Sequence, residues 1–200
     1  MDINDLNEIF LRTARRIVRR QYRYFNLDRA RTSEAEARHV FAKILDERKL
    51  YYGIEIPTEA KHSISGSTIK RSALTDLVIY GEGRSNKFPI WVEFKRGQPG
   101  IDMIAKDFIK MIMEPSILGV CFFHILPEVE SMVNRSNERA KKAVIRKYVE
   151  AYQRVEKGNC KSKWFVLFIL DCSSKQYYLL QKNNVCNIDS FENSRWIAIK

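Results

Sequence analysis

Apolar positions along the chain recur with two periods. From about Leu6 to Phe25, Ile9, Phe10, Ile17, Val18 and Tyr24 line one side of a segment whose other positions are largely arginine, which predicts an amphipathic helix. A second helix opens at Thr32-Ser33-Glu34-Ala35-Glu36. Ser33 followed three residues later by Glu36 fits a capping box, and Ala37, Val40, Phe41, Ile44 and Leu45 form the stripe of a helix ending near Lys49. Ile101, Ile104, Phe108, Ile109, Ile112 and Met113 predict a helix over about 101–114. Ala143, Val144, Tyr148, Ala151 and Tyr152 predict another within about 134–155.

Between these helices lie β-rich runs: YYGIEIP (51–57), LTDLVIY (74–80), PIWVEFK (89–95), ILGVCFFHIL (117–126), WFVLFIL (164–170), QYYLL and the terminal SRWIAIK (194–200). KHSISGSTIKRS (61–72) is polar and glycine-containing, a loop or weak hairpin. GEGRSNKF (81–88) is a turn-rich connector that makes 74–80 and 89–95 an antiparallel pair. The run 117–126 has the continuous apolar character of a central strand covered on both faces. Helices and strands interleave without a repeat or a low-complexity tract. The expected class is therefore α/β, a mixed central sheet flanked by helices, with residues 1–31 as a basic helical extension and 32–200 as the main domain.

Composition adds charge to this picture. The chain of 200 residues carries 35 Lys and Arg against 24 Asp and Glu, a net +11, with 45% apolar residues. Such a balance suits a folded protein with a polyanionic partner, and Arg12, Arg15, Arg16, Arg19, Arg20 and Arg23 on the first helix are its candidate phosphate-contacting stripe. The other account of these arginines is the solvated face of a packed helix. No apolar run reaches the roughly 18 residues of a membrane span, and the N-terminus lacks a signal-peptide pattern, so a cytoplasmic protein is expected. Cys121, Cys160, Cys172 and Cys186 form no Cys-x-x-Cys pair and no zinc-ligand pattern with His39, His62 or His124. Reduced thiols are the expected state.

The chemistry concentrates in the strand IWVEFK (90–95), where Glu93 and Lys95 interrupt an apolar run. Side chains alternate along a strand, so Glu93 and Lys95 share one face with Trp91, while Val92 and Phe94 point to the other. If the hairpin closes with Tyr80 opposite Pro89, Asp76 falls opposite Glu93 on that same face. Two facing carboxylates hinder each other's ionisation and call for a cation between them. Mg²⁺ suits such a pair, since it is commonly held by one or two carboxylates together with waters and a substrate phosphate, and Mn²⁺ would serve in the same place. The plain alternative is an ion pair on an edge strand, where charges oppose aggregation.

An acid on one strand, Glu-x-Lys on the next, and the order helix, three strands, helix, strand over residues 33–126 resemble the PD-(D/E)XK nuclease superfamily, the restriction-endonuclease-like fold. Thr75 stands where the family name has proline. The resemblance implies that Asp76 and Glu93 bind the metal and that Lys95 assists the attacking water. It also implies a further acid from the first core helix, Glu34, with Glu36 as the alternative. The expected activity is Mg²⁺-dependent hydrolysis of phosphodiester bonds in DNA, with RNA also open as substrate, in restriction, phage defence or repair. A homodimer would supply one active site per strand of a duplex. Gln98, Lys106 and Lys110 are further candidates for phosphate contacts. The competing expectations are a non-catalytic nucleic-acid-binding protein on a nuclease-like fold, and a module whose basic helix docks an acidic protein.

Overall fold

The computed structural model describes residues 1–24, 33–63, 70–81, 89–115, 117–126, 134–155, 163–188 and 195–200. Its order is α1 (Ile3–Tyr24), α2 (Glu34–Glu47), β1 (Tyr51–Ser63), β2 (Lys70–Gly81), β3 (Ile90–Arg96), α3 (Ile101–Met113), β4 (Gly119–Leu126), α4 (Asn134–Gln153), β5 (Trp164–Asp171), β6 (Gln176–Lys182) and β7 (Trp196–Ala198). The strands form one sheet in the order of the chain. β3, β4 and β5 are parallel neighbours, and every other pair is antiparallel. The chain is thus α/β with a mixed sheet. The 61–72 segment is the end of the β1–β2 hairpin, with Lys61 paired to Ser72 and Ser63 to Lys70; its tip, 64–69, and the 82–88 connector lie outside the described residues.

Strand alternation sorts the core into two layers. Leu77, Ile79, Val92, Phe94, Cys121, Phe123, Val166 and Phe168 face α1 and α2, whereas Val78, Trp91, Phe122, Phe165, Leu167 and Ile169 face α3 and α4. β4 is buried at every position, as its unbroken apolar run predicts for a strand covered on both sides.

α2 begins where its capping box predicts: Ser33 Oγ accepts the Glu36 N–H at 3.0 Å, and Ala37, Val40, Phe41, Ile44 and Leu45 are buried. α3 ends against an unexpected cap. The buried Lys163 Nζ donates to the carbonyls of Ile112 (2.6 Å) and Glu114, closing the helix C-terminus with a positive charge suited to its dipole. The Glu114 carboxylate in turn accepts the main-chain N–H groups of Glu59 (3.1 Å) and Ala60 (2.9 Å), which fastens the irregular part of β1 to α3.

The expected 1–31 extension begins with a helix whose apolar stripe is buried in the core of the 32–200 domain. Leu6, Ile9, Phe10, Ala14, Ile17 and Val18 are all enclosed, and the Phe10 ring lies 5.4–5.6 Å from those of Phe41, Phe123 and Phe168. Cys121 is a buried thiol whose pKa burial pushes up. Cys186, by contrast, is disulfide-bonded. The expectation of four reduced thiols is corrected there, because sequence spacing does not reveal which distant segments the fold brings together.

Truncating Phe10 to alanine removes the centre of this aromatic cluster and should cost about 4 kcal/mol of unfolding free energy in urea denaturation. A loss below about 1 kcal/mol would mean that α1 contributes little to the core.

Candidate active site

Leu77 pairs with Val92, Val78 with Trp91 and Ile79 with Ile90, the register that puts Asp76 opposite Glu93. Beyond Leu77 the main-chain ladder gives way to side chains. The Asp76 N–H points to Glu93 Oε1 at 3.4 Å, and Asp76 Oδ2 accepts the Phe94 N–H at 2.8 Å. The strands part here because carboxylates have taken over the amide partners. On the other side, Glu55 of β1 has φ +54°, the left-handed conformation a non-glycine residue avoids, between the paired positions Ile54–Leu77 and Ile56–Thr75. Arg38 of α2 spans this opening, 3.3 Å from Glu55 and 3.6 Å from Asp76 Oδ1.

Glu93 and Lys95 lie on the face covered by α3 and are 2% and 7% exposed. β3 has neighbours on both sides, so the edge-strand ion pair is not what these charges form. α3 contributes two more. Lys110 Nζ is 2.5 Å from Glu93 Oε1 and 3.1 Å from Asp107 Oδ1; Lys95 Nζ is 2.8 Å from Asp107 Oδ2 and 3.4 Å from Glu93 Oε2. The four side chains close a ring of alternating charge. Lys110 also donates to the Leu74 carbonyl at 2.8 Å. This corrects its reading as a surface phosphate contact: Lys106, one turn before it, is exposed, but Lys110 is turned inward. Gln98 is exposed and donates to the Ala140 carbonyl at 3.4 Å.

Burial pushes the Glu93 carboxyl up to about 7, and Asp107 and Asp76 add to the rise while Lys110 and Lys95 oppose it. For Lys95, burial acts to lower the pKa, but Asp107 and Glu93 outweigh it and the ammonium is held more firmly than usual. Glu34, at the solvent-facing start of α2, is also raised: burial is the chief cause, Lys95 counteracts it, Asp76 reinforces it, and the main chain at Arg96 acts to lower it. Glu34 therefore sits within electrostatic reach of Asp76, Lys95 and Asp107. Glu36 gives its N–H to the helix cap.

Behind the ring, His124 stands beside Lys95 on β4. Its Nε2 is 2.9 Å from the Gly97 carbonyl, which can only accept, so Nε2 carries the hydrogen; Nδ1 then accepts from the Tyr148 hydroxyl at 3.0 Å. The bond fixes the turn in which Gly97, at φ +68°, leads the chain away from Lys95.

The arginine stripe of α1 lies on the opposite face of the sheet from α3. Arg12 and Arg16 pair with Glu47 at 3.3 and 2.6 Å, and Arg15 donates to the Lys200 carbonyl at 3.1 Å. Arg19 is exposed, and the side chains of Arg20 and Arg23 lie outside the described residues.

A divalent cation held between the strands would take Asp76 and Glu93 as its carboxylate donors. Asp76 and Glu93 offer hard oxygens from adjacent strands, and the oxygens of Asp107 are taken by Lys95 and Lys110. Among the described residues no three His, Cys, Asp or Glu side chains gather into a metal site by themselves. No protein-family model and no curated protein sequence matches the chain.

The sequence pattern shows Asp76, Glu93 and Lys95 but not Asp107 and Lys110. Their signal is the same in kind: charges three residues apart among the buried positions Ile104, Phe108, Met111 and Ile112 of α3.

Asp107→Ala leaves both lysines short of a buried partner and should destabilise the chain by about 3 kcal/mol in urea unfolding at neutral pH. His124 gives a pH signature. Burial lowers its pKa to about 4, so between pH 6.5 and 4 the unfolded imidazole is protonated and the native one is not. Stability contributed by His124 is complete above pH 6.5 and declines by about 3 kcal/mol as the pH falls to 4. In His124→Gln, unfolding free energies across this window should fall less steeply than in the wild type; equal slopes would rule out His124 as the source.

Proposed function

We propose that the chain is a metal-dependent nuclease of the restriction-endonuclease-like type that hydrolyses phosphodiester bonds in DNA. The observation that carries this reading is the meeting of Asp76 and Glu93 where β2 and β3 part, with Lys95 beside Glu93. The order α2, β1, β2, β3, α3, β4 supports it, being helix, three strands, helix, strand. No membrane-crossing helix is found among the described residues. A cytoplasmic setting completes the proposal, although the bridge at Cys186 is uncommon there.

Asp76 and Glu93 would hold Mg²⁺ or Mn²⁺, which when bound supplies an acidified water and neutralises charge developing on the phosphate. The remaining work belongs to the side chains. Lys95 keeps its proton at neutral pH, so it serves as a hydrogen-bond donor and fixed positive charge toward the attacking water and the phosphate oxygens, not as a general base. Asp107 fixes the Lys95 ammonium at 2.8 Å. Arg38 holds the Asp76 carboxylate toward α2, and Glu34 adds an acid at the open rim. The exposed Lys106, outside the ring on α3, is available to phosphates of the flanking strand.

The closed ring favours one other reading. Both Glu93 oxygens already face ammonium groups, as they would in a nucleic-acid-binding protein that has left catalysis behind.

Cleavage of duplex DNA, single-stranded DNA and RNA with Mg²⁺, Mn²⁺ or chelator separates the two. Asp76→Asn, Glu93→Gln and Lys95→Met should each lower metal-dependent cleavage by about a hundred-fold or more while the far-ultraviolet circular dichroism stays native. Binding without cleavage under every condition, unaltered in Asp76→Asn, would support the non-catalytic reading instead.

A further inference from the structure

The ring raises a problem for any divalent cation. It holds two carboxylates, Glu93 and Asp107, against two ammonium groups, Lys95 and Lys110, and is already neutral when Glu93 is ionised. An added dication would bring two further positive charges into a space where Glu93 is 2% and Lys110 5% exposed. One ammonium must therefore withdraw from Glu93.

The two lysines are not equivalent in this respect. Lys95 is the more weakly tied to Glu93, at 3.4 Å from Oε2, and finds its closer partner in Asp107. Lys110 occupies Oε1, the oxygen that also faces the Asp76 N–H and so lies on the side of Glu93 toward β2. Its contacts with the Leu74 carbonyl and Asp107 Oδ1 hold it there. A cation shared by Asp76 and Glu93 would need the oxygen that Lys110 now takes.

Resting on the nuclease reading above, we propose that Lys110 is a tethered counter-ion: its ammonium neutralises Glu93 in the metal-free protein and is displaced from Oε1 when a divalent cation binds. Lys106, four residues before Lys110 on the same helix, is exposed, so displacement turns the Lys110 charge toward that side of α3, where it can meet a phosphate. Metal loading would in this way free a positive charge beside the substrate.

Mn²⁺ binding, followed by the loss of the free ion's paramagnetic resonance signal, tests this on the whole chain. Lys110→Met should bind Mn²⁺ about ten-fold more tightly than the wild type, the factor expected when a charge-assisted hydrogen bond no longer competes for the same oxygen. A wild type that binds Mn²⁺ and a Lys110→Met variant that binds it equally or more weakly would overturn the counter-ion role while leaving the metal site standing. Absence of binding in both would overturn the metal site and the counter-ion role together.

A second measurement needs no variant. Acetylation by an amine-selective reagent, read residue by residue by mass spectrometry, should increase several-fold at Lys110 on adding Mg²⁺ at constant ionic strength. Lys163, buried in the α3 cap, should stay protected and Lys106 reactive throughout. Unchanged protection of Lys110 at a Mg²⁺ concentration that saturates the Mn²⁺-competition assay would overturn the displacement.

Discussion

Everything around the site answers to the desolvation of one carboxylate. Glu93 is carried on a strand inside a seven-stranded sheet and is almost wholly withdrawn from water. An ionised carboxylate in such a place is costly by several kcal/mol unless positive groups and hydrogen bonds meet it. Lys95 from the same strand is too distant to suffice, at 3.4 Å. The second ammonium comes from α3, and Asp107 keeps the two lysines from opposing each other. The packing of α3 on the sheet is therefore an electrostatic arrangement as well as an apolar one, which explains why this helix is fastened at both ends. Lys147 reaches the Pro99 carbonyl before its first turn, and Lys163 and Glu114 secure its last.

The layers and most of the elements are legible in the sequence because each rests on local signals. The Ser33 cap, the apolar stripe of α2, the strand alternation of β3 and the unbroken run of β4 all depend on residues close in the chain. The facing of Asp76 and Glu93 is legible too, since a hairpin register carries over one strand to the next. What lies beyond reach is anything decided by non-neighbouring elements. Asp107 and Lys110 read as helix charges until α3 is laid over β3. Lys163 reads as a residue before a strand until β5 brings it beneath the end of α3. The bridge at Cys186 depends likewise on chain segments whose meeting no spacing foretells.

The arginines of α1 show the converse difficulty. Their density suggests a surface made for polyanions, yet three of them serve the protein itself: Arg12 and Arg16 tie α1 to the end of α2 through Glu47, and Arg15 meets the C-terminal residue. A count of charges does not distinguish cations that neutralise internal acids from cations left for a partner. The same helix is apolar enough on its inner side to close the α2 face of the core, so its two faces answer to different demands.

With Glu93 ionised the ring is neutral, which has a consequence at distances larger than the site. Two positive and two negative charges in alternation form a quadrupole, whose potential decays far more steeply than that of a single charge. A few ångström outside the protein the ring is electrically silent. Long-range attraction of an anionic polymer must then come from the net +11 of the chain as a whole, screened over about 8–10 Å at physiological salt. Capture and chemistry are in this way assigned to different charges, and salt that weakens the first would leave the buried second almost untouched.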